Sequence, residues 1–281
     1  MTFCESLQQN RTWLLFSLLL VAVLYRGVVP DMVRQWYEDP NYSHGFVVPL
    51  LASFFLYERR AELAEAQVAS WWPGFLVVIL GVGQLLLGWL ATEYFTMRSS
   101  LVVILAGLTL FFFGRRLFRL MLLPLAYLVF MVPLPYIIYD TVAFPLKLFV
   151  TKASIGFLKL CGVVVLREGN VIQLPSTTLE VADACSGIRS LISLIALAVA
   201  YSFFIRLTTA RRVVLVLAAI PIAVAANALR VIGTGFLAQY WGARAAEGFF
   251  HEFAGLAVFA VAMVLMVSLG TFLSRGSGRS L

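Results

Sequence analysis

Long apolar runs recur along almost the whole chain and constrain its fold more than any other feature. The runs 213–235 and 252–273 hold one charged residue each, Arg230 and Glu252. A helix needs about 20 apolar residues to cross a hydrocarbon layer of about 30 Å, and both runs have that length. The chain is 62% hydrophobic and 12% charged, whereas soluble domains have about 25% charged residues. The sequence therefore predicts an integral membrane protein, with no stretch polar enough to form a soluble domain.

The number of apolar runs predicts an all-α polytopic membrane protein with eight transmembrane helices. The second run is the weakest, because it is short and contains Pro49. The first run lacks the small residues of a cleavage site and is interpreted as a retained span. We expect one integral membrane domain over residues 1–281. The predicted spans are 12–29, 44–57, 72–92, 98–114, 120–134, 186–205, 213–235 and 252–273.

Residues 136–184 break this pattern and are predicted to form an insertion on the outer face of the membrane. Residues 136–160 place lysines among apolar residues, which indicates one or two amphipathic helices at the interface. Residues 163–182 contain short β-rich runs with turn residues between them, such as Gly169 and Asn170, and are typical of a small β-hairpin or meander. This segment is either a surface that captures an extended peptide by strand addition or a passive connector.

The basic residues stand in short clusters between the apolar runs, a pattern that reports membrane topology and not nucleic-acid binding. The net charge of the chain is +7. If eight spans put both termini on one side, that side holds eleven basic and four acidic residues, and the rest of the chain holds ten of each. The positive-inside rule then places both termini in the cytoplasm.

The seven residues from Asp183 to Arg189 stand where the strand-like segment ends and the sixth apolar run begins. Asp183 is a good N-cap residue, which would place Cys185 in the first helical turn. Backbone N–H groups and the positive end of the helix dipole favour a thiolate there, and Arg189 adds a positive charge one turn further on. Cys185 is therefore a candidate nucleophile. The alternative is a small cysteine that serves only as packing.

The predicted topology places Arg230 and His251 at the same membrane depth as Cys185. A thiolate, an imidazole and a cation are the groups that acyl transfer through a thioester needs. Asn227 and Thr234 share the helical face of Arg230, which indicates a polar lining. The alternatives are an arginine that snorkels to the interface and an ordinary interfacial histidine.

The role of base has two candidates, because the chain contains two histidines. His44 competes with His251, since the sequence Tyr42-Ser43-His44-Gly45 is also predicted at the outer face. The short loop before His251 makes the seventh and eighth spans neighbours and favours His251. Three widely spaced cysteines and two histidines form no metal-binding signature and no disulfide framework. We expect no metal and no cofactor.

Several short motifs together resemble those of the exosortase family. They are Ala184–Ser190, Asn227–Val231, His251 with Gly255, Asn41–Gly45 and Pro133–Pro135. The resemblance covers nearly the whole chain and extends to the eight-span layout. It implies a membrane cysteine protease or transpeptidase of Gram-negative bacteria, related to archaeosortases. By motif, it assigns catalysis to Cys185, Arg230 and His251. Its supporting or substrate-binding residues would be Asp183, Ser186, Arg189, Asn227 and His44.

The resemblance also implies partners and a location. The substrates would be exported proteins with a PEP-CTERM sorting region: a Pro-Glu-Pro-like motif, a membrane helix and a basic tail. Cleavage would occur at the periplasmic face of the bacterial inner membrane, among membrane lipids and with an unidentified acceptor nucleophile. The resemblance implies no nucleic-acid partner. The alternative is a polytopic component of exopolysaccharide assembly or export that moves or scaffolds lipid-linked sugars.

Overall fold

The computed structural model of the chain describes residues 2–175, 178–180, 188–242 and 249–275. The chain is mostly helical, at 83%. Its internal contacts divide it into two compact units, residues 1–135 and 136–281. The boundary falls directly after Pro135, where the sequence predicts the outer insertion to begin.

The first unit consists of helices joined by short turns. A 3₁₀ segment, Pro40–Phe46, precedes α4, and another, Leu128–Met131, follows α7. α2 and α3 meet at a bend of 60°. The carboxylate of Glu93 caps α7, because it accepts the backbone N–H groups of the first helical turn. The helices are α1 (Phe3–Gln9), α2 (Arg11–Leu24), α3 (Val28–Glu38), α4 (Val47–Glu58), α5 (Arg60–Glu65), α6 (Gly74–Leu90) and α7 (Tyr94–Tyr127).

Glycines allow α6 and α7 to approach each other closely. A Cβ atom added to Gly88 would lie 2.7 Å from the backbone nitrogen of Met97, and one added to Gly107 would lie 2.7 Å from that of Val78. Lipid gives membrane helices no hydrophobic reason to associate, so close backbone packing at small residues provides much of the attraction. The α6 glycines that face α7 recur every seven residues, at Gly74, Gly81 and Gly88.

α7 is broken at Gly114, where φ is 81° and ψ is −176°. Only glycine adopts these angles readily, and a Cβ atom there would collide with the carbonyl oxygen of Ala69. The break stands at the end of the predicted fourth span. The chain therefore passes from the fourth predicted span to the fifth through a kink and not through a loop.

Basic side chains gather at the Gly114 end of the first unit. The guanidinium of Arg59 donates to the carbonyl oxygen of Leu120 at 2.9 Å. The guanidinium of Arg115 lies 4.1 Å from the ring centroid of Trp71. Arg116 and Arg119 line one small cavity together with Glu62 and Glu65.

The described part of the second unit combines four helices with a small sheet. β1, β2 and β3 form an antiparallel meander in that order, as the sequence predicts. Gly169, with φ of 63°, stands in the two-residue turn between β1 and β2. The buried Ile172 of β2 packs in one cluster with Val231 and Ala238 of α10. The elements are α8 (Tyr136–Leu160), β1 (Leu166–Glu168), β2 (Val171–Gln173), β3 (Thr178–Glu180), α9 (Ile188–Phe204), α10 (Thr209–Trp241) and α11 (Phe249–Arg275).

α9, α10 and α11 pack as an antiparallel bundle. The hydroxyl of Tyr201, late in α9, donates to the carbonyl oxygen of Val267 at 3.3 Å. Arg211, early in α10, donates to the carbonyl oxygen of Leu273 at 3.0 Å. Both contacts lie late in α11, so the first residues of α9, the second half of α10 and the first turns of α11 share the opposite end, called here the site end. Small buried side chains fill much of the space between the helices: Ala198, Ala219, Ala223, Ala226 and Ala262.

Within the described ranges, four helices are long and apolar enough to cross a membrane, or five if α2 and α3 form one bent span. α6 and α9 are apolar but have 17 residues each, a length of about 26 Å against a hydrocarbon core of about 30 Å. The polytopic helical architecture is therefore confirmed, and the number of eight spans is not. The four are Tyr94–Met131, Tyr136–Leu160, Thr209–Trp241 and Phe253–Arg275.

α8 differs from the predicted interfacial helices, because it is one continuous helix of 25 residues whose length and composition suit a span. Pro145 lies inside it without ending it. α8 packs against α9 and α10 at the site end. Ala143 clusters with Ile188 of α9, and the hydroxyl of Ser154 donates to the carbonyl oxygen of Ala228 of α10 at 3.3 Å.

Gly107→Ala should destabilise the first unit, because the added methyl group meets a backbone that has no room to move. Overpacking of this kind costs about 1–3 kcal/mol. Gly83→Ala on α6 is the matched control, since a Cβ atom there meets nothing within 4 Å. Thermal unfolding in detergent should give a lower midpoint for Gly107→Ala and an unchanged or higher one for the control. Equal midpoints would mean that α6 and α7 are further apart than described.

Candidate functional site

The predicted site residues are covered unequally. Asp183, Cys185 and Ser186 lie outside the described residues. Arg230 is described in full. His251 is the third residue of α11.

Arg230 lies against the helix that carries His251. A Cβ atom added to Gly255 would stand 3.1 Å from both Cζ and Nη2 of Arg230. The guanidinium therefore rests on the bare backbone of α11, in a space that any larger residue would occupy. His251 precedes Gly255 by four residues, so the two positions share one face of α11. The structure thus brings Arg230 to the face of α11 on which His251 is placed.

The surroundings of Arg230 on α10 are partly polar. Asn227, one turn earlier, is buried with 5% of its surface exposed. A buried polar side chain on the same helical face favours the predicted polar lining over an arginine that only snorkels to the interface.

Arg189 is half-buried and is the second residue of α9, at the site end. Cys185 precedes the first residue of this helix by three positions. The meander that leads toward Cys185 along the chain packs on the last part of α10. The meander and the start of α9, which flank Cys185 along the chain, therefore both lie at the site end, where Arg230 and the start of α11 are found.

His44 belongs to a separate cluster in the first unit. Its Nε2 donates to the carbonyl oxygen of Phe130 at 3.2 Å. The neighbouring Tyr42 hydroxyl donates to the carbonyl oxygen of Leu134 at 3.3 Å. Trp36 Nε1 donates to the carbonyl oxygen of Met131 at 2.8 Å. The bond from Tyr42 thus joins the two secondary motifs, Asn41–Gly45 and Pro133–Pro135, and the other two bonds hold the backbone just before Pro133.

Burial lowers the pKa of His44 below its ordinary value of 6.5. Desolvation disfavours the charged imidazolium, and this effect outweighs the bonds to backbone carbonyls that favour it. At neutral pH the ring is therefore neutral and is held by its Nε2–H. These properties suit a residue that positions the backbone at 130–134 better than one that exchanges protons in each cycle.

Gly255 and Trp36 make contacts that could not be predicted from the sequence. Gly255 belongs to the same motif as His251, yet its contact with Arg230 depends on how α10 and α11 pack. The spacing of four between His251 and Gly255 was the available signal, because it puts both on one helical face. Trp36 gave no signal, since its partner is a backbone carbonyl 95 residues away.

The protein is a polytopic helical membrane protein. The partly buried Arg230 lies against α11, whose third residue is His251. A family model described as transmembrane exosortase matches residues 36–268, most of the chain. The protein therefore belongs to the transmembrane exosortase family. No curated protein and no solved structure matches the chain.

The lowered pKa of His44 predicts that stability falls as the pH falls. The unfolded chain takes up the proton first, below a pH of about 6.5, so acid favours unfolding, and above that pH the effect vanishes. The unfolding midpoint should therefore drop between about pH 7.5 and about pH 5.5, and His44→Gln should drop less over the same range. Equal pH dependence in the two proteins would show that His44 is not buried as described.

Proposed function

We propose that this member of the exosortase family is a membrane-embedded cysteine protease or transpeptidase that cleaves C-terminal sorting signals of exported proteins. Cys185 is the nucleophile, His251 the acid and base, and Arg230 the oxyanion-stabilising cation. The single observation that carries the proposal is the contact between the Arg230 guanidinium and Gly255, one turn from His251. The family membership supports the class of reaction.

The chemistry follows from the three groups. The thiolate of Cys185 attacks the carbonyl carbon of the scissile peptide, and Arg230 stabilises the negative charge that develops on the oxygen. The intermediate collapses to a thioester when the C–N bond breaks, and His251 donates a proton to the leaving amine. A second nucleophile then attacks the thioester, gives its proton to His251 and releases the thiolate. The acceptor is water or an amine or hydroxyl group at the cell surface.

The site operates at the periplasmic face of the inner membrane, with both termini in the cytoplasm, under the eight-span topology. The distribution of charge supports this orientation in each unit taken by itself. In the second unit, Arg206, Arg211, Arg212 and Arg275 stand at the end of the bundle away from Arg230. In the first unit, the basic residues gather near Gly114. Basic clusters mark the cytoplasmic side.

The substrate is an exported protein whose sorting region ends in a membrane helix and a basic tail. Such a helix would lie beside this protein in the lipid, with its basic tail on the cytoplasmic side by the same positive-inside rule. The sorting motif would then emerge at the outer face. Membrane lipids surround the complex, and the proposal involves no nucleic acid and no cofactor.

The test of the proposal is co-expression with a tagged protein that ends in a sorting motif, an apolar helix and a basic tail. Cys185→Ala should abolish processing, whereas Cys161→Ser, at an exposed cysteine, should process normally. His251→Ala should lose about 10²–10⁴ in rate, the usual cost of a positioned general acid. Mass spectrometry of the new C-terminus separates hydrolysis from transfer.

If Cys185→Ala processed the substrate at the normal rate, the proposed mechanism would be wrong. It would favour the alternative, a component of exopolysaccharide assembly or export, in which Cys185, Arg230 and His251 can all be replaced without loss. Thiol labelling of the variants should be done in a background that lacks Cys4 and Cys161, so that Cys185 is the one thiol that takes up the reagent. His251→Ala should still be labelled at Cys185 and should melt at the same temperature as the parent, which would show that the variant is folded.

The contact at Gly255 makes its own prediction. A methyl group at 3.1 Å from the guanidinium requires Arg230 to move by a few tenths of an ångström. Gly255→Ala should process the substrate about tenfold more slowly and Gly255→Val about a hundredfold, since misplacement of a stabilising group is costly. Gly233→Ala on α10 is the control, because its Cβ atom meets nothing within 4 Å. Normal rates for both Gly255 variants, with unchanged melting, would show that Arg230 does not act at the reacting carbonyl.

A further inference from the structure

The buried side of α8 carries three side chains with a hydroxyl group: Tyr139, Thr151 and Ser154. Two of these hydroxyls have hydrogen-bond partners. Thr151 donates to the carbonyl oxygen of Lys147 at 2.7 Å, and Ser154 donates to that of Ala228 at 3.3 Å. The hydroxyl oxygen of Tyr139 is also buried, but among the residues that the structure describes it has no hydrogen-bond partner.

The unpaired hydroxyl of Tyr139 brings the fold no benefit. A hydroxyl that leaves water without gaining a partner costs free energy. A phenylalanine ring would fill nearly the same space without this cost. Buried polar groups are almost always paired, so an exception beside a candidate site points to a group that binds there during function.

Tyr139 lies at the site end of the second unit. It forms one buried cluster with Ala143 and Ile188. Ile188 is the first residue of α9, and Cys185 precedes it by three positions. Three residues span at most about 11 Å, so a reaction at Cys185 takes place close to this cluster.

We infer that Tyr139 is a further catalytic residue, whose hydroxyl donates a hydrogen bond to the oxygen of the scissile carbonyl when Cys185 attacks. The inference rests on the proposed function. Attack forms the bond between sulfur and the carbonyl carbon and moves an electron pair onto the carbonyl oxygen, which becomes negative. Tyr139 keeps its proton and stabilises this oxygen together with the cation of Arg230. A donor that is fixed before the charge develops needs no reorganisation at the moment of reaction.

The surroundings of Tyr139 suit this role. An apolar cluster strengthens a hydrogen bond to a developing charge, because little else screens that charge. Packing against Ala143 and Ile188 holds the ring in place. Because the hydroxyl bonds to no residue that the structure describes, no bond within those parts has to break before it donates to the substrate.

The experiment compares Tyr139→Phe with the wild type, using the purified full chain and a tagged sorting substrate in detergent. The variant lacks only the hydroxyl. Its kcat should fall about a hundredfold, the usual loss for one oxyanion donor, and its KM should not change, because the bond forms only in the transition state. Its melting midpoint should be unchanged or higher, since the hydroxyl has no partner in the described fold.

Alkylation of Cys185 separates a role at the substrate carbonyl from a role at the thiol. The background again lacks Cys4 and Cys161. Iodoacetamide should react with Cys185 equally fast in Tyr139→Phe and in the parent, because alkylation passes through no oxyanion.

Tyr201→Phe is the matched control. Tyr201 lies late in α9, at the other end of the bundle, and its hydroxyl donates to the carbonyl oxygen of Val267 at 3.3 Å. This variant should melt slightly lower than the wild type, because a hydrogen bond of the fold is lost. It should process the substrate at the normal rate.

Four outcomes would overturn the inference. An unchanged kcat in Tyr139→Phe would show that the hydroxyl takes no part in the reaction, and slower processing with a lower melting midpoint would make it structural. A raised KM with an unchanged kcat would place its bond in the ground state, and slower alkylation would place it at the thiol. If Cys185→Ala is inactive in any of these cases, the proposed function stands without Tyr139, whereas normal processing by Cys185→Ala overturns both.

Discussion

The structure depends on close contact between helices at small residues. In lipid, burial of apolar side chains gives little net attraction, so helices associate where their backbones can approach each other. In the first unit this occurs at the glycines of α6 and α7, spaced every seven residues on α6. In the second unit alanines do the same work between α9, α10 and α11. Both units thus have helix contacts that leave little room for adjustment, and a residue placed in them keeps its position.

That rigidity allows arginines to be held in defined places. Arg230 rests on the backbone of α11 at Gly255, and Arg98 is held by Gln35 of α3. Each is fixed by a neighbour from another helix. A cation in an apolar protein is expensive to keep. The arginines near Gly114 and near Arg275 instead stand in basic clusters, a distribution that the positive-inside rule would explain without any particular chemistry.

The sequence predicts the helical membrane class and a small hairpin or meander before Cys185 correctly. Hydrophobic length and turn residues are local properties, and they suffice for those features. The sequence does not determine the number of spans, because α4 and α6 are shorter than their apolar runs and because α8 is continuous through Pro145. Helix ends depend on local hydrogen bonds and tertiary contacts that hydropathy does not see. The predicted eight spans and catalytic roles remain predictions.

The candidate site also combines features that the sequence predicts with contacts that only the structure gives. Motif and topology single out Arg230 and His251, and the structure adds the contact with Gly255 that links their helices. His44 was a rival base on sequence grounds, since a histidine at the outer face has the right chemistry. Its bond to the carbonyl oxygen of Phe130 joins residues 86 positions apart, which no local pattern reports. Both contacts arise from long-range packing, and the choice between His44 and His251 stays a prediction.

Under the proposed function, the length of α10 limits which peptide bond of a substrate can reach the site. α10 has 33 residues, about 50 Å, and so exceeds a bilayer core of about 30 Å. Counted from Arg212 at the proposed cytoplasmic boundary, the core ends about 20 residues later, close to Arg230. The remaining turns of α10 end at the exposed Tyr240 and Trp241. They would then extend beyond the lipid, next to the level at which the peptide bond is cleaved. Only a peptide bond within a few residues of the substrate's own membrane helix would reach that level, so the cleaved bond would be selected by its distance from that helix. A long spacer can be inserted between the sorting motif and the membrane helix of a substrate. Processing of that substrate at the normal rate would show that this distance is not selected.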